Sequence, residues 1–330
     1  MNIMMLGSGA WGTALANLLC RNGHHVILWN RSEARAAEMR KSRRNPRLKE
    51  AELHPEMEIT ADLMRIQVCQ MAVFATPSFA LRETAQQIAP LLNPDMIIVS
   101  ATKGVESKSG LRMTQIIREE TGFEAVALSG PSHAEEVAKG QPTGCVAACQ
   151  NIALAERVQD VFMNDTFRVY ASSDVVGVEL SGAMKNVIAL CAGICDGLGF
   201  GDNSKALLIS RGLAELSDLV VALGGCPKTF AGLAGVGDMI VTCTSMHSRN
   251  RRAGILIGQG LSVQKAMEQV GAVVEGYYAA GSVWQLSRRA CVDMPICQQA
   301  YAVLYEDMDP AETVHNLMCR EKRREFESEK

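Results

Sequence analysis

An α/β half followed by an all-α half is the fold class this sequence predicts, and three observations carry it. Asn2-Ile3-Met4-Met5-Leu6 is a short apolar run that leads into the spacing G-x-G-x-x-G, at Gly7, Gly9 and Gly12, and then into helical periodicity at Ala10, Leu15, Leu18 and Leu19. Short apolar runs alternate with helical stretches up to about residue 170. From Asp174 onward the pattern turns helical. These features place a dinucleotide-binding domain over residues 1–173 and a helical domain over residues 174–330.

Bulk properties narrow the function. The 330 residues are enough for two domains and a large core. With 48% hydrophobic and 21% charged residues the chain reads as globular, and a net charge of −3 gives nucleic-acid binding no support. The first residues lead straight into the strand, with no basic stretch and cleavage site among them, so no signal peptide is expected. No apolar run reaches about 18 residues without a charge or a break, so no membrane span is expected. Eleven cysteines are scattered along the chain. The closest pairs, Cys145/Cys149 and Cys191/Cys195, lack histidines at zinc spacing, so no metal is expected and buried thiols in a reducing cytoplasm are.

Taken in order, Gly7 allows the tight turn, Gly9 lets a diphosphate approach the backbone, and Gly12 lets helix and strand pack closely. The helix start offers free N–H groups and the positive dipole end to phosphates. Arg21-Asn22-Gly23 stops this helix. A second strand over residues 24–29 ends in Asn30-Arg31-Ser32. An acid that would bind a ribose 2′-OH is missing there, and an arginine is present, which tilts the cofactor toward NADP. The segment 31–49 holds eight Lys/Arg against two Glu. Most of these charges read as a solvated face, with Arg31 and Arg35 as candidates for a 2′-phosphate. Residues 57–61 show no definite pattern.

A third strand over residues 68–75 closes on Thr76-Pro77-Ser78, with Ser78 expected to cap a helix to about residue 89. A fourth, residues 96–100, ends in Ala101-Thr102-Lys103-Gly104. A lysine just past such a strand end faces the ligand crevice or lies in a surface loop. A fifth, residues 125–128, runs into Ser129-Gly130-Pro131-Ser132-His133-Ala134, a second phosphate-friendly helix entrance. Strands over 143–148 and 167–170 flank a helix over 151–163.

In the second half Asp174 caps a long helix over 175–198, rich in small and apolar residues. Lys185 and Asn186 sit in its middle. A lysine there either reaches solvent along its stem or is buried with a partner and a task. A second helix spans about 204–223. Gly232 to Gly237 then form a glycine-rich stretch before Asp238, which stands at a helix start as a cap or as partner to a buried cation. Thr242 follows on the same helical face. Ser248-Arg249-Asn250-Arg251-Arg252 suits a phosphate dianion, although a charged helix start explains Arg251 and Arg252 equally well. Val273-Val274-Glu275 opens another helix.

GSGAWGTALA, ATKG, SGPSHAEE, VELSGAMKNVIA, GVGDMIVTCT, SRNRR and VVEGY, in this order, resemble the NAD(P)-dependent glycerol-3-phosphate dehydrogenases of the bacterial type, over residues 2 to about 305. The resemblance implies an N-terminal Rossmann-type domain, an all-helical C-terminal domain and an active site between them. It implies hydride exchange between sn-glycerol 3-phosphate, or dihydroxyacetone phosphate, and NAD(P)(H), supplying glycerol 3-phosphate for phospholipid synthesis. By motif, Lys185 takes the general acid/base position and Lys103 the one touching cofactor and substrate. Asp238 falls near the reacting hydroxyl with Thr242 beside it, Arg249 and Asn250 on the phosphate, and Ser248 in the same loop. Gly130 and Ser132 match substrate contacts. Ala10, Trp11, Arg31, Ala134, Arg249, Val273 and Glu275 match cofactor contacts. Trp11 keeps the ring at a position where a tyrosine would add a hydroxyl.

The competing readings are a dehydrogenase of another hydroxy-substrate and a non-catalytic NAD(P)-binding sensor. The Arg249 cluster speaks against the first, and Lys103, Lys185, Asp238 and Arg249 together speak against the second. A homodimer is expected from the large apolar helical half.

Overall fold

The computed structural model describes residues 1–322, 324 and 325. β1 (Asn2–Leu6), α1 (Ala10–Arg21) and β2 (His25–Trp29) make the first crossover, with α1 ending where Arg21-Asn22-Gly23 predicts. α2 (Glu33–Ser42) follows, capped by the Ser32 hydroxyl. The chain continues through β3 (Arg44–Asn45), β4 (Leu48–Glu52), β5 (Glu58–Thr60), β6 (Met71–Phe74), α3 (Leu81–Ile88), β7 (Ile97–Ser100) and α4 (Met113–Thr121). β8 (Ala125–Ser129), α5 (Ala134–Ala138), β9 (Thr143–Ala148), α6 (Ile152–Phe162) and β10 (Phe167–Ser172) complete this half.

Eight strands form one sheet in the order β10-β9-β8-β7-β6-β1-β2-β5, parallel at every pair except β8 with β9. From β1 the chain goes outward to β2 and later crosses back to β6 on the other side of β1. That reversal leaves a crevice above the carboxyl ends of β1 and β6, the place where open α/β sheets hold ligands. The strands are apolar on both faces because both are covered. Ile3, Met5, Val26, Leu28, Met71, Val73 and Val99 enter one core; Met4, Leu6, Ile27, Trp29, Ala72, Phe74 and Ile98 enter the other.

The structure departs from the sequence reading in four places. The basic segment 31–49 is helix only to Ser42 and then turns into the β3–β4 hairpin. Only Asn45 and Leu48 of that hairpin's turn region face inward, too few for a periodic signal. The strand expected from residue 68 begins at Met71, because a 3₁₀ turn occupies Leu63–Val68. α4 carries the buried stripe Met113, Ile116 and Ile117, in a stretch for which the sequence predicts no element. Ser78 does not cap α3: Pro77 holds the cap position of a short 3₁₀ turn, Ser78–Ala80, and the Ser78 hydroxyl points elsewhere.

No strand occurs beyond Ser172 among the described residues. α7 (Val175–Gly197) is capped by Asp174, which accepts from the Gly177 N–H at 2.9 Å. Around it stand α8 (Asp202–Ala222), α9 (Pro227–Phe230), α10 (Asp238–Thr244), α11 (Arg249–Gly258), α12 (Val263–Val270), α13 (Glu275–Ala290), α14 (Pro295–Tyr305) and α15 (Pro310–Met318). α7 is long and apolar enough to cross a membrane by length and composition, but 94% of its most apolar window lies buried inside the protein. α11 crosses it backbone against backbone. A Cβ on Gly193 would overlap the Arg251 carbonyl, and one on Gly254 the Leu190 carbonyl. All eleven cysteines are free, with only Cys226, Cys291 and Cys319 exposed. The charged tail over residues 320–330 lies partly outside the described residues; Arg320 pairs with Asp293 at 3.1 Å.

Candidate active site

The glycine loop shows which positions serve the fold and which leave room for a ligand. Gly7 has φ +118°, and a Cβ there would press on the Ala75 carbonyl oxygen at 2.8 Å. A Cβ on Gly12 would overlap the Gly7 carbonyl. A Cβ on Gly9 would meet nothing within 4 Å. Gly9 is also the N-cap of α1 and supplies no side-chain cap, so the first N–H groups of α1 are left without one. An open cradle at a helix N-terminus fits a diphosphate. The Asn45 side chain pins the β3–β4 hairpin beneath this loop, donating to the Ser8 carbonyl at 3.0 Å and to Thr13 Oγ1 at 2.7 Å. Asn30 donates to Ser8 Oγ at 2.7 Å, and Arg31 is exposed one residue further along. Ala10 and Trp11 open α1, and the Trp11 indole donates to the Ala101 carbonyl at the end of β7, 3.2 Å.

Two lysines converge on one carboxylate. Lys103, just past β7, donates to Asp238 Oδ2 at 2.6 Å and to the Gly130 carbonyl at 2.9 Å. Lys185, in the middle of α7 and only 5% exposed, donates to Asp238 Oδ1 and to Thr242 Oγ1, the latter at 2.6 Å. Thr242 in turn donates to the Asp238 carbonyl at 2.6 Å. Asp238 is 1% exposed and follows a π-helical turn, Leu233–Gly237, that runs into α10. Of the two roles open to Asp238, partner to a buried cation is the one observed. Lys185 does not reach solvent. Burial pushes its ammonium down to about 8, with Lys103 assisting and Asp238 opposing. Two ammoniums and one carboxylate leave a surplus positive charge in a secluded place.

The Ser248-Arg249-Asn250 cluster stands at the start of α11. Ser248 caps it, accepting from the Arg251 N–H at 3.2 Å. Arg249 is exposed, and no ion pair engages it among the described residues. Asn250 is buried and partly committed: its amide donates to Asn186 Oδ1 at 2.8 Å and its oxygen accepts the Gly276 N–H at 2.9 Å. One amide hydrogen stays available for a ligand. Arg251 turns away to Asp196, with Nε at 2.8 Å from Oδ2, and so belongs to the scaffold. Ser132 donates to the Gly130 carbonyl at 3.0 Å, joining its loop to Lys103, and Ala134 begins α5 beside it. Val273 and Glu275 flank the start of α13, and Glu275 attracts Arg249 electrostatically.

Some polar groups here were not anticipated from the sequence. The Thr76 and Ser129 hydroxyls, at the ends of β6 and β8, are buried without a hydrogen-bond partner, as is Nε2 of His133. Burial first, and the Lys185 charge second, hold His133 below the usual imidazole range. Their place beside crevice-facing strand ends is the signal that could have found them. No group of three or more His, Cys, Asp or Glu able to hold a metal occurs among the described residues.

Residues 2–155 match the family model described as the NAD-dependent glycerol-3-phosphate dehydrogenase N-terminus, and residues 174–315 match its C-terminal counterpart. The chain belongs to the NAD-dependent glycerol-3-phosphate dehydrogenase family. Relatives include glycerol-3-phosphate dehydrogenase [NAD(P)+] of Thermoanaerobacter sp. (strain X514), 48% identical over 99% of this chain and 99% of its own. Another, from Desulfitobacterium hafniense (strain Y51), is 49% identical over 98% of this chain and 93% of its own. The crystal structure of the Coxiella burnetii glycerol-3-phosphate dehydrogenase superposes with a TM-score of 0.93 at 36% identity, covering 97% of this chain and 99% of that one. The family's C-terminal match begins at Asp174, the residue that caps α7.

Proposed function

We propose that this family member interconverts sn-glycerol 3-phosphate and dihydroxyacetone phosphate with NAD(P)(H), with residues 1–173 holding the dinucleotide and residues 174–330 the substrate. The observation that carries this reading is the meeting of Lys103, Lys185 and Asp238 at the crevice, with the free Arg249 guanidinium on the neighbouring helix. The open cradle at Gly9 fits the diphosphate, and Ala10, Trp11, Ala134, Val273 and Glu275 are the residues that would hold the rest of the dinucleotide. When bound, a nicotinamide supplies or accepts the hydride.

Lys185 is the group that moves the proton. In reduction its ammonium gives a proton to the carbonyl oxygen of the substrate as that oxygen gains charge, and in oxidation its amine takes the hydroxyl proton. Burial tunes it to the range where both directions run near neutral pH. The surplus positive charge stabilises the developing alkoxide. Asp238 and Thr242 orient the lysine, Lys103 bridges the two domains, and Arg249, Asn250 and Ser248 grip the phosphate, with Gly130 and Ser132 closing the loop around the substrate. Arg31 in place of an acid supports a preference for NADPH. Such an enzyme supplies glycerol 3-phosphate for phospholipid synthesis. The free thiols support a cytoplasmic setting, and the large apolar helical half a homodimer.

The direct test is absorbance at 340 nm. Protein, NADPH and dihydroxyacetone phosphate together should consume NADPH, while unphosphorylated dihydroxyacetone should leave it nearly untouched. No consumption with either substrate would overturn the activity.

A further inference from the structure

Ser78 is 7% exposed and stands at the carboxyl end of β6, on the crevice side of the sheet. Its sequence context, just after Pro77, suits a helix cap, yet its hydroxyl caps nothing. It donates instead to Glu275 Oε2 at 2.9 Å, reaching the first residue of α13 in the other half of the chain. The backbone around it is crowded. A Cβ on Gly104, the residue after Lys103, would overlap Ser78 Cβ, so the Lys103 loop backs directly onto this serine. Glu275 is half-buried, and burial raises its carboxyl while the Ser78 hydroxyl and N–H lower it; Arg249 is the charged group that faces it. An ionised carboxylate offers two acceptor oxygens, so with the Ser78 hydroxyl on Oε2 the other oxygen of Glu275 can take an N–H or O–H donor of a dinucleotide if the group is correctly turned.

We infer that Ser78 is a positioning residue for the cofactor: it occupies one oxygen of Glu275 and leaves the other aimed at a donor of the bound dinucleotide. The inference rests on the proposed reading that Glu275 lines the cofactor site. The same bond is a direct side-chain link between the strand that ends at the crevice and the helical half.

The test is a double-mutant cycle of Ser78→Ala and Glu275→Ala, reading NADPH affinity by fluorescence titration, KM and kcat by the 340 nm assay, and Tm by melting. Ser78→Ala is expected to raise the NADPH Kd and KM about 3- to 10-fold, the net worth of one ordinary hydrogen bond, with kcat within about two-fold. In the Glu275→Ala background the same change should add nothing, which a merely structural role would not predict. An unchanged Kd in Ser78→Ala, or an equal rise in both backgrounds, would overturn the inference. If Glu275→Ala itself leaves NADPH affinity intact, Glu275 is outside the cofactor site and the role of Ser78 falls with it, whereas the activity with dihydroxyacetone phosphate stands or falls separately. Ser78→Cys, which keeps the volume with a weaker donor, gives the same comparison should the alanine variant fail to fold.

Discussion

Lys103 and Lys185 hold opposite oxygens of Asp238, one arriving from the end of a parallel strand and the other from the middle of a buried helix. Replacing Lys185 by Met keeps its length and apolar stem and removes the proton. We expect NADPH affinity within a few-fold of the parent and kcat lower by roughly 10²–10⁴. With the ammonium at about 8, reduction should slow as pH rises through that value and oxidation should speed up. In Lys185→Met both limbs should vanish; a folded variant that turns over normally would transfer the role to Lys103.

Arg249 is an exposed guanidinium without an ion pair among the described residues. Arg249→Ala should lose kcat/KM for the phosphorylated substrate and change little for dihydroxyacetone. Inorganic phosphate should compete in the parent and not in the variant. Unaltered discrimination between the two substrates would exclude Arg249 as the phosphate grip.

Arg31 follows β2 where an acid would favour NAD. Arg31→Ala should raise KM for NADPH more than for NADH, by about 1–2 kcal/mol. Parallel changes in both cofactors would remove it from the 2′-phosphate site.

Gly9 and Gly12 should fail differently. A methyl group at Gly9 meets no protein atom within 4 Å, so Gly9→Ala should melt like the parent but bind NADPH poorly. Gly12→Ala pushes a methyl into the Gly7 carbonyl and should lower Tm as well. Melting curves with and without NADPH separate the two, and normal NADPH binding by Gly9→Ala would refute the cradle.

Glu215, 7% exposed, accepts the Ile296 and Cys297 N–H groups that open α14. Burial outweighs these bonds and lifts its carboxyl to about 7 from 4.5. The folded state therefore binds the proton more tightly than the unfolded one. That stability is fully present below about pH 4.5 and lost as pH rises through about 7, on the order of 3 kcal/mol. Glu215→Gln keeps an acceptor and removes the charge. It should flatten the slope of stability between about pH 5 and 7 and raise Tm at pH 8; an unchanged slope in denaturant melts would show that Glu215 does not titrate there.

The alternation of apolar runs and helices, the glycine spacing and the lysine within an apolar helix were all readable in order along the chain. A cation in mid-helix among apolar residues requires a partner, and the place of Asp238 at a helix start leaves it two roles, cap or partner, of which the second is the one found. What the sequence does not show depends on single side chains rather than on period. The β3–β4 hairpin is held by Asn45 reaching the Ser8 carbonyl, a contact with no local signature. Ser78 sits where a cap is expected and is recruited by Glu275 from nearly two hundred residues away. Asn250, a ligand candidate by its sequence context, spends most of its amide on Asn186 and Gly276, holding three helices together.

The glycine seam between α7 and α11 makes these two helices a ruler. With Gly193 against Arg251 and Gly254 against Leu190, there is no side-chain layer in which one helix could slide along the other. The span from Lys185 to Arg249 is thus set by backbone contact and not by adaptable packing. On the proposed reading, a molecule is measured between its carbinol carbon and its phosphate before any chemistry begins. Phosphorylated ketones with one carbon more in that interval would bind at one end and miss at the other.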